Sequence, residues 1–144
     1  MTVVRFRVDK GKGVGKLIRE LSVKWPDEVD DAIKTVLLLV QNRAKSSMVR
    51  GKPRGRVYRR KSVVHRASAP GQPPAVDNSD LVDHIEIRHG RGWGEVFNEQ
   101  KHALYMEYGT KVGGKWRVRP RPWLRPAFKG QTKVLRQEIL RRVG

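Results

Sequence analysis

The sequence contains no cysteine among its 144 residues. That absence excludes disulfide scaffolds, zinc sites with thiolate ligands and thiol nucleophiles. No stretch approaches the roughly 18 consecutive apolar residues that a membrane-spanning helix needs, so we expect no membrane partner. The first ten residues, MTVVRFRVDK, lack the apolar core of a signal peptide, and we therefore expect the chain not to be secreted.

Acidic and aromatic residues are also scarce. The 14 Asp and Glu residues stand against 32 Lys and Arg residues, which gives a formal charge of +18. This balance predicts a polyanionic neighbour, most simply nucleic acid, but it says nothing about the fold. Aromatic residues make up 7% of the chain, and no aromatic RNA-binding strand, zinc-finger spacing or recognition helix is present. We therefore expect any contact with nucleic acid to involve the phosphate backbone rather than base sequence.

The sequence offers little for catalysis or metal binding. No H-E-x-x-H motif is formed by its histidines, which are His65, His84, His89 and His102. The glycine-rich run from Asp9 to Lys16 lacks the spacing of a phosphate-binding loop, because Leu17 stands where Ser or Thr is required. A small nuclease would need acids beside the basic segments, where none occurs. We predict no catalytic residue, no metal and no cofactor.

The positive charge lies in two blocks. Ten basic residues and no acid lie between Arg43 and Arg66, and seven more, again without an acid, lie between Lys111 and Lys129. Uninterrupted like charge repels itself, so a polyanion or an acidic protein surface explains these blocks better than solubility alone. The candidate contact residues are Arg50, Lys52, Arg54, Arg56, Arg59, Arg60, Lys61, Arg66, Lys111, Lys115, Arg117 and Arg119.

Hydrophobic spacing in the first half predicts a strand, a short helix and a long helix. Apolar and basic residues alternate over Thr2 to Val8, as in a half-buried strand, and a short helix around Ile18 follows a glycine-rich turn. A helix about 34 Å long is expected from Pro26 to Met48, with proline at its start and acids in its first turns. Its run from Leu37 to Val40 is apolar on more than one face, which predicts a second packing partner such as another subunit.

The residue pattern of the second half predicts a basic arm, a hairpin and a final helix. Residues 50–74 are rich in Arg, Gly and Pro and are expected to form a basic hairpin or an extended arm. Asn78 or Ser79 is expected to cap a short helix, and a β-hairpin follows over residues 85–98 with its turn at 90–94. A loop is expected over Lys111 to Arg121, and a final helix from near Pro122 or Pro126 to Arg142. The fold class is therefore α+β, a single domain over 1–144, with a small antiparallel sheet packed by the long helix and the C-terminal helix.

Three segments resemble one protein family. They are SAPGQPPAVDNSDL from Ser68, ALYMEYGT from Ala103 and RPRPWLRPAF from Arg119. In order and spacing they are similar to the tail-component proteins, of the gene-product-ten type, from the head–tail modules of long-tailed siphophages. With the preceding strand, turn and long helix, the resemblance covers nearly the whole chain. It departs at Asn78-Ser79, where the family has Thr-Gly, and in the more basic loop after Thr110.

The resemblance implies structural roles for the matching residues. These are Pro70, Gly71, Pro74, Asp77, Leu81, Tyr105, Glu107, Tyr108, Gly109, Thr110, Arg121, Pro122, Trp123, Leu124 and Pro126. We expect Gly109 to adopt a backbone angle that other residues avoid. We also expect Trp123, Leu124 and Phe128 to dock the final helix on the sheet.

The resemblance also implies a function. Such proteins are structural components of the virion rather than enzymes, and form a ring, which we expect to be a hexamer, at the head–tail junction. The expected partners are other copies of the chain, the adjacent head–tail connector and tail-tube or terminator proteins, and passing genomic DNA. Assembly is expected in the host cytoplasm. Six copies would carry about +108, so acidic rings or DNA must supply counter-charge.

Two alternatives remain open at this point. Within the same family, a tail terminator ring is a neighbouring possibility. Outside it, a stand-alone nucleic-acid-binding protein without sequence preference fits the composition, although it assigns no role to the PGQPP and EYGT segments.

Overall fold

The structure, a computed structural model, describes residues 3–11, 13–75 and 80–144, and only the backbone of Arg60 and Asp80. Over these residues the chain has an α+β fold. Its elements are β1 (Val4–Val8), α1 (Gly15–Ser22), α2 (Pro26–Val49), β2 (Val57–Arg60), β3 (Val63–Arg66), α3 (Asp80–Asp83), β4 (Glu86–Gly90), β5 (Trp93–Asn98), α4 (Lys101–Tyr108), β6 (Thr110–Val112), β7 (Lys115–Val118), α5 (Arg125–Phe128) and α6 (Gln131–Val143).

The main sheet has three antiparallel strands in the order β1-β5-β4. Phe6 of β1 and Ile87 of β4 both lie opposite Val96 of the central strand. In β1 the apolar residues are buried and the two arginines between them are exposed, which confirms the strand predicted from the alternation. The remaining four strands form two separate hairpins, β2–β3 and β6–β7.

Helix α2 covers the inner face of the main sheet. It begins at Pro26, with Asp27 and Glu28 in its first turn, as the sequence predicts. Ile33 and Leu37 approach the central strand at Gly94, where an added Cβ would lie 2.4 Å from Leu37 Cδ1 and 2.9 Å from Ile33 Cγ2. Only glycine at this position leaves room for the helix to pack closely on the sheet.

The apolar run of α2 is divided between core and surface. Leu37 and Val40 are fully buried, whereas Leu38 and Leu39 remain 43% and 41% exposed. Helix α6 packs along α2 and buries its own Leu135. The second packing partner predicted for α2 is thus in part the C-terminal helix of the same chain, and a contact with another subunit stays a prediction.

The outer face of the sheet carries a buried carboxylate beneath three arginines. Glu95 is 2% exposed, and its Oε1 accepts a hydrogen bond of 2.9 Å from Arg88 Nε. Its Oε2 lies 3.5 Å from an amino group of both Arg5 and Arg7. Arg88 also stacks on Phe97, 4.0 Å from the ring centroid. Arginine side chains therefore cover this face where a second layer of helices would otherwise lie.

Two predicted elements of the C-terminal region are wrong. The loop expected over Lys111 to Arg121 contains the β6–β7 hairpin, whose turn is Gly113-Gly114. Both glycines have positive φ, 56° and 77°, as the two central residues of a tight hairpin turn often require. The Gly-Gly pair between apolar and basic residues was the sequence signal for this hairpin.

The prediction of a single final helix is also wrong, because this region forms two helices, α5 and α6. Gly130 has φ 76°, a left-handed conformation that ends the first helix and turns the chain before the second. Phe128, at the end of α5, stacks on Phe6 of β1 with ring centroids 4.8 Å apart. Trp123 and Leu124 are buried ahead of α5, so the expected docking residues do anchor this region.

Two smaller predictions change in detail. The turn of the main hairpin is Arg91-Gly92, shorter than the 90–94 expected, because Gly90 and Trp93 already pair as strand residues. The proposed helix caps Asn78 and Ser79, like Thr2 at the start of the first strand, lie outside the described residues. None of the described helices combines the length and the apolar character that crossing a bilayer requires.

Replacing Leu37 with alanine tests the packing of α2 on the sheet. Leu37 is fully buried, so Leu37→Ala should lower the free energy of unfolding by about 2–5 kcal/mol through lost burial and the cavity left behind. Leu38→Ala, its neighbour on the exposed side, should change it by less than about 1 kcal/mol. Urea denaturation followed by circular dichroism measures both, and equal losses would contradict the assignment of the two faces.

Candidate functional site

Each basic block contains a hairpin that lies outside the hydrophobic core cluster. In β2–β3, Val57 pairs with Arg66 and Arg59 with Val64, and in β6–β7, Lys111 pairs with Trp116. Among the described residues, none between Met48 and Leu81 belongs to the hydrophobic core cluster. The sequence prediction of a basic hairpin or extended arm over 50–74 is thus resolved in favour of a hairpin with extended flanks.

The predicted contact residues lie on the surface. All those with described side chains are exposed, namely Arg50, Lys52, Arg54, Arg56, Arg59, Lys61, Arg66, Lys111, Lys115, Arg117 and Arg119. Arg60 belongs to β2, and its side chain lies outside the described part of the chain. No acid occurs in either hairpin, so the charges that each hairpin itself contributes are all positive.

Hydrogen bonds join the roots of the two hairpins. The Gly71 N–H donates to the Pro120 carbonyl at 2.9 Å, and Arg121 Nε donates to the Ser68 carbonyl at 3.1 Å. These bonds connect the segment that follows β3 to the segment that follows β7. The two basic blocks, far apart in the sequence, therefore emerge from one part of the structure. We call Ser68–Gly71, Pro120 and Arg121 the hairpin root.

Gln72 ties the two flanks of the β2–β3 hairpin together. Its Oε1 accepts hydrogen bonds of 2.9 Å from the N–H groups of Arg54 and Ala69, and its Nε2 donates to the Lys52 carbonyl at 3.1 Å. Three backbone groups of an irregular segment thereby gain partners from one side chain. The sequence predicts a basic hairpin or an extended arm here, but it does not reveal this role of Gln72.

A buried carboxylate organises the segment between β7 and α5. Glu107 Oε2 accepts hydrogen bonds from the N–H groups of Trp123 at 2.8 Å and Leu124 at 2.9 Å. Its Oε1 accepts from the N–H of Arg125 at 3.0 Å and from Arg125 Nε at 2.8 Å. The side chain of Glu107 is fully buried, so these charge-assisted bonds replace the water that it loses. They hold the chain at the start of α5 in a fixed shape.

Further bonds close this unit, which we call the Glu107 junction (residues 103–109 and 120–125). Trp123 is fully buried and its indole N–H donates to the Ala103 carbonyl at 3.1 Å. The Arg121 N–H donates to the Met106 carbonyl at 2.6 Å, and Arg121 is also a root residue. The three segments that carry the family resemblance therefore meet in one hydrogen-bonded unit.

Gly109 is crowded as well as left-handed. It has φ 70°, as expected from the sequence, and an added Cβ would lie 2.5 Å from the Val118 carbonyl oxygen and 2.9 Å from Pro120 Cδ. Trp116 Cζ3 would be 2.8 Å away. The glycine therefore lets the base of the β6–β7 hairpin close against the end of α4.

The other motif residues fall into three groups. Pro74 and Leu81 are buried, Pro122 and Thr110 are half-buried, and Asp77 lies outside the described residues. The exposed ones are Pro70, Gly71, Tyr105, Tyr108 and Pro126. Tyr108 packs beside the guanidinium of Arg125, 5.0 Å from its ring centroid, so it covers the ion pair of the Glu107 junction.

The hairpins expose apolar side chains as well as charge. Val57, Val63 and Val64 of β2–β3 are 45%, 61% and 58% exposed. In β6–β7, Trp116 is exposed and the Lys111 ammonium lies 4.4 Å from the centroid of its ring. Stacking on a base and apolar contact with a protein are both open to such a surface.

The histidines are dispersed over the fold. His65 packs edge-on against Tyr58, and His84 Nδ1 lies 3.0 Å from Gln100 Nε2. Over residues 3–11, 13–75 and 80–144, no three side chains of His, Asp or Glu are placed to hold a metal ion.

Comparisons of the chain with protein-family models, with curated proteins and with solved structures found no match. The resemblance of the three segments to the phage tail-component family therefore stays a prediction.

Removing the Glu107 carboxylate should destabilise the fold strongly. Glu107→Ala leaves Arg125 Nε and the N–H groups of Trp123, Leu124 and Arg125 without their acceptor. Since each buried N–H without a partner is costly, we expect a loss of about 3–5 kcal/mol in the free energy of unfolding. Glu99→Ala serves as the control, because Glu99 is half-exposed and lies 3.7 Å from Arg88 in an ion pair of little expected value. Chemical denaturation measures both, and similar small losses would refute the role given to Glu107.

Gly109 and Gly113 should differ in the cost of an added side chain. Both have positive φ, but an added Cβ at Gly113 has no atom within 4 Å. Gly113→Ala should therefore cost only its conformational strain, about 1 kcal/mol. At Gly109 the φ of 70° with ψ of −179° is a conformation that essentially only glycine adopts, and in Gly109→Ala the clashes should add roughly 1–3 kcal/mol more. Thermal unfolding of the two variants measures the difference, and equal melting temperatures would show that the base of β6–β7 tolerates a methyl group.

Proposed function

We propose that this chain is a structural protein of a phage virion that forms a ring, expected to be a hexamer, at the head–tail junction of a long-tailed bacteriophage. In this role it is a tail-completion or neck protein that joins the tail to the head connector and surrounds the passing DNA. The observation that carries the proposal is the convergence of the three family-like segments in the Glu107 junction and the hairpin root. Segments that hydrogen-bond to one another form one structural unit.

The distribution of charge supports a role in assembly. A core built from α2, α6 and the main sheet holds two hairpins whose cations are exposed, and their common root is tied by hydrogen bonds. A rigid body with projecting basic ribbons suits contacts with neighbouring subunits, with the adjacent connector and tail-tube or terminator rings, and with DNA phosphates.

A stand-alone nucleic-acid-binding protein is the second candidate, and one observation favours it. Trp116 is exposed beside Lys111 on a hairpin rich in cations, which is an arrangement suited to stacking on a base next to a phosphate. Such a protein would bind DNA as a monomer, and its affinity would fall steeply with salt.

Virion content and oligomeric state test the proposal. Quantitative mass spectrometry of purified particles of the encoding phage should find the chain at a small fixed copy number, about six per particle if the ring is a cyclic hexamer. A density map of the same particles should place it between head and tail. Absence from the particles, together with salt-sensitive DNA binding by a monomer, would overturn the proposal and favour the second candidate.

A further inference from the structure

The β2–β3 hairpin leaves the side chains of Val57, Val63 and Val64 largely exposed. It is a sheet of two strands, and such a hairpin is marginally stable in water by itself. One face carries Val57, Arg59, Val64 and Arg66, and all four side chains are exposed. Val63, on the opposite face, is 61% exposed. The pattern indicates a surface that another molecule covers.

The valines favour a protein over the phosphate backbone as that molecule. Phosphates would pair with the arginines but would leave three valine side chains in water, whereas a protein surface can bury both kinds of side chain. The partner should combine negative charge with some apolar surface. This chain itself presents such a surface at the other end of α2.

That surface, which we call the acidic end, surrounds the start of α2. Four of the 14 acids of the chain lie within five residues here, Asp27, Glu28, Asp30 and Asp31. With the β4–β5 turn, three of them line an open cleft of about 450 Å³, in which Arg91 is the one arginine or lysine. Val23, just before the helix, is 87% exposed.

Arg91 neutralises the acidic end only in part. Its guanidinium donates to Asp27 at 2.6 Å and to Asp30 at 2.9 Å, and these bonds, with the charges of the two carboxylates, raise its pKa. Asp31 also lines the cleft and is exposed to solvent. Negative charge therefore remains for a cation from outside.

The two surfaces lie at opposite ends of the longest helix. Helix α2 has 24 residues and is about 36 Å long. The flanks of the β2–β3 hairpin line a small pocket with Ser47 and Met48, so the hairpin is anchored where α2 ends. A contact between opposite ends of two copies is head-to-tail, and contacts of this kind close into rings when the rotation between copies allows it.

We propose that the β2–β3 hairpin of one copy docks on the acidic end of the next copy. The inference rests on the self-assembly part of the proposed function and names the two surfaces that make the contact. Such a contact also reduces the repulsion between protomers of charge +18. In it, the basic hairpin of each copy meets the acidic end of its neighbour.

Charge reversal at each surface gives the test. Arg59→Glu with Arg66→Glu reverses the hairpin, and Asp27→Lys with Asp31→Lys reverses the acidic end. By sedimentation velocity, wild-type protein should self-associate, and each double variant should raise the apparent Kd of self-association by at least about 100-fold. Mixing the two double variants in equal amounts should restore association, because each variant retains the surface that complements the other.

Association of the mixed variants would identify the contact as head-to-tail. Each double variant retains one native surface, so a hairpin from the acidic-end variant can dock on the acidic end of the hairpin variant. The remaining two surfaces are both reversed and again opposite in charge, so slower growth beyond dimers is consistent with the inference. Complete failure of the mixture to associate would overturn it.

A matched control separates this hairpin from general electrostatics. Lys115→Glu with Arg117→Glu makes the same change in net charge on β6–β7, and it should leave self-association within about threefold of wild type if β2–β3 makes the contact. Val64→Ser keeps the charge of β2–β3 and should weaken self-association while leaving duplex DNA binding unchanged. Circular dichroism of every variant checks that the fold is retained, as expected for exposed positions.

Three outcomes would overturn the inference. They are a wild-type chain that stays monomeric at millimolar concentration, a control that weakens association as much as hairpin reversal, and hairpin reversal that abolishes only DNA binding. The first two outcomes do not contradict the proposed function if the chain is found in virions, where it would then make other contacts. Conversely, head-to-tail assembly by a chain absent from virions would support the inference and refute the proposed function.

Discussion

The buried carboxylate of Glu107 is the interaction on which the C-terminal half of the structure depends. It accepts hydrogen bonds from three backbone N–H groups and from the Arg125 side chain. Those donors belong to the segment that leads into α5. A buried charge is stable only where fixed donors replace water, so α4 and this segment determine each other's position. Through Arg121 the same unit reaches the Ser68 carbonyl and the base of the β2–β3 hairpin.

The hydrophobic core and the exposed cations of the two basic blocks lie in different parts of the fold. Apolar burial is concentrated where α2 packs between the main sheet and α6, and Gly94 allows the closest approach. The cations with described side chains over residues 50–66 and 111–119 lie on the two hairpins and their flanks, outside this core, where they stay exposed to water and face no desolvation cost. The chain can therefore carry +18 without placing like charges in its interior. Glu95 and Glu107 are buried, and each has arginine beside it.

The elements predicted well are those encoded by local patterns. The alternation in β1 and the proline, acids and apolar spacing of α2 act within a few residues of one another, so they are visible in the sequence. The loop predicted over Lys111 to Arg121 is wrong, because Gly113-Gly114 forms a tight turn that pairs its two flanks as strands. The break at Gly130 was missed because the apolar spacing continues on both sides of it. In the candidate site, the exposed cations were identified, whereas Gln72 was not.

The sequence by itself determined the α+β class, the long helix and the position of both basic blocks along the chain, because periodicity and charge are local properties. Only the tertiary structure decided that the two blocks share one root, that Glu107 holds the start of α5, and that acids and basic hairpin lie at opposite ends of α2. These arrangements join residues tens of positions apart. They follow from packing and hydrogen bonding between distant segments, which no short stretch of sequence specifies.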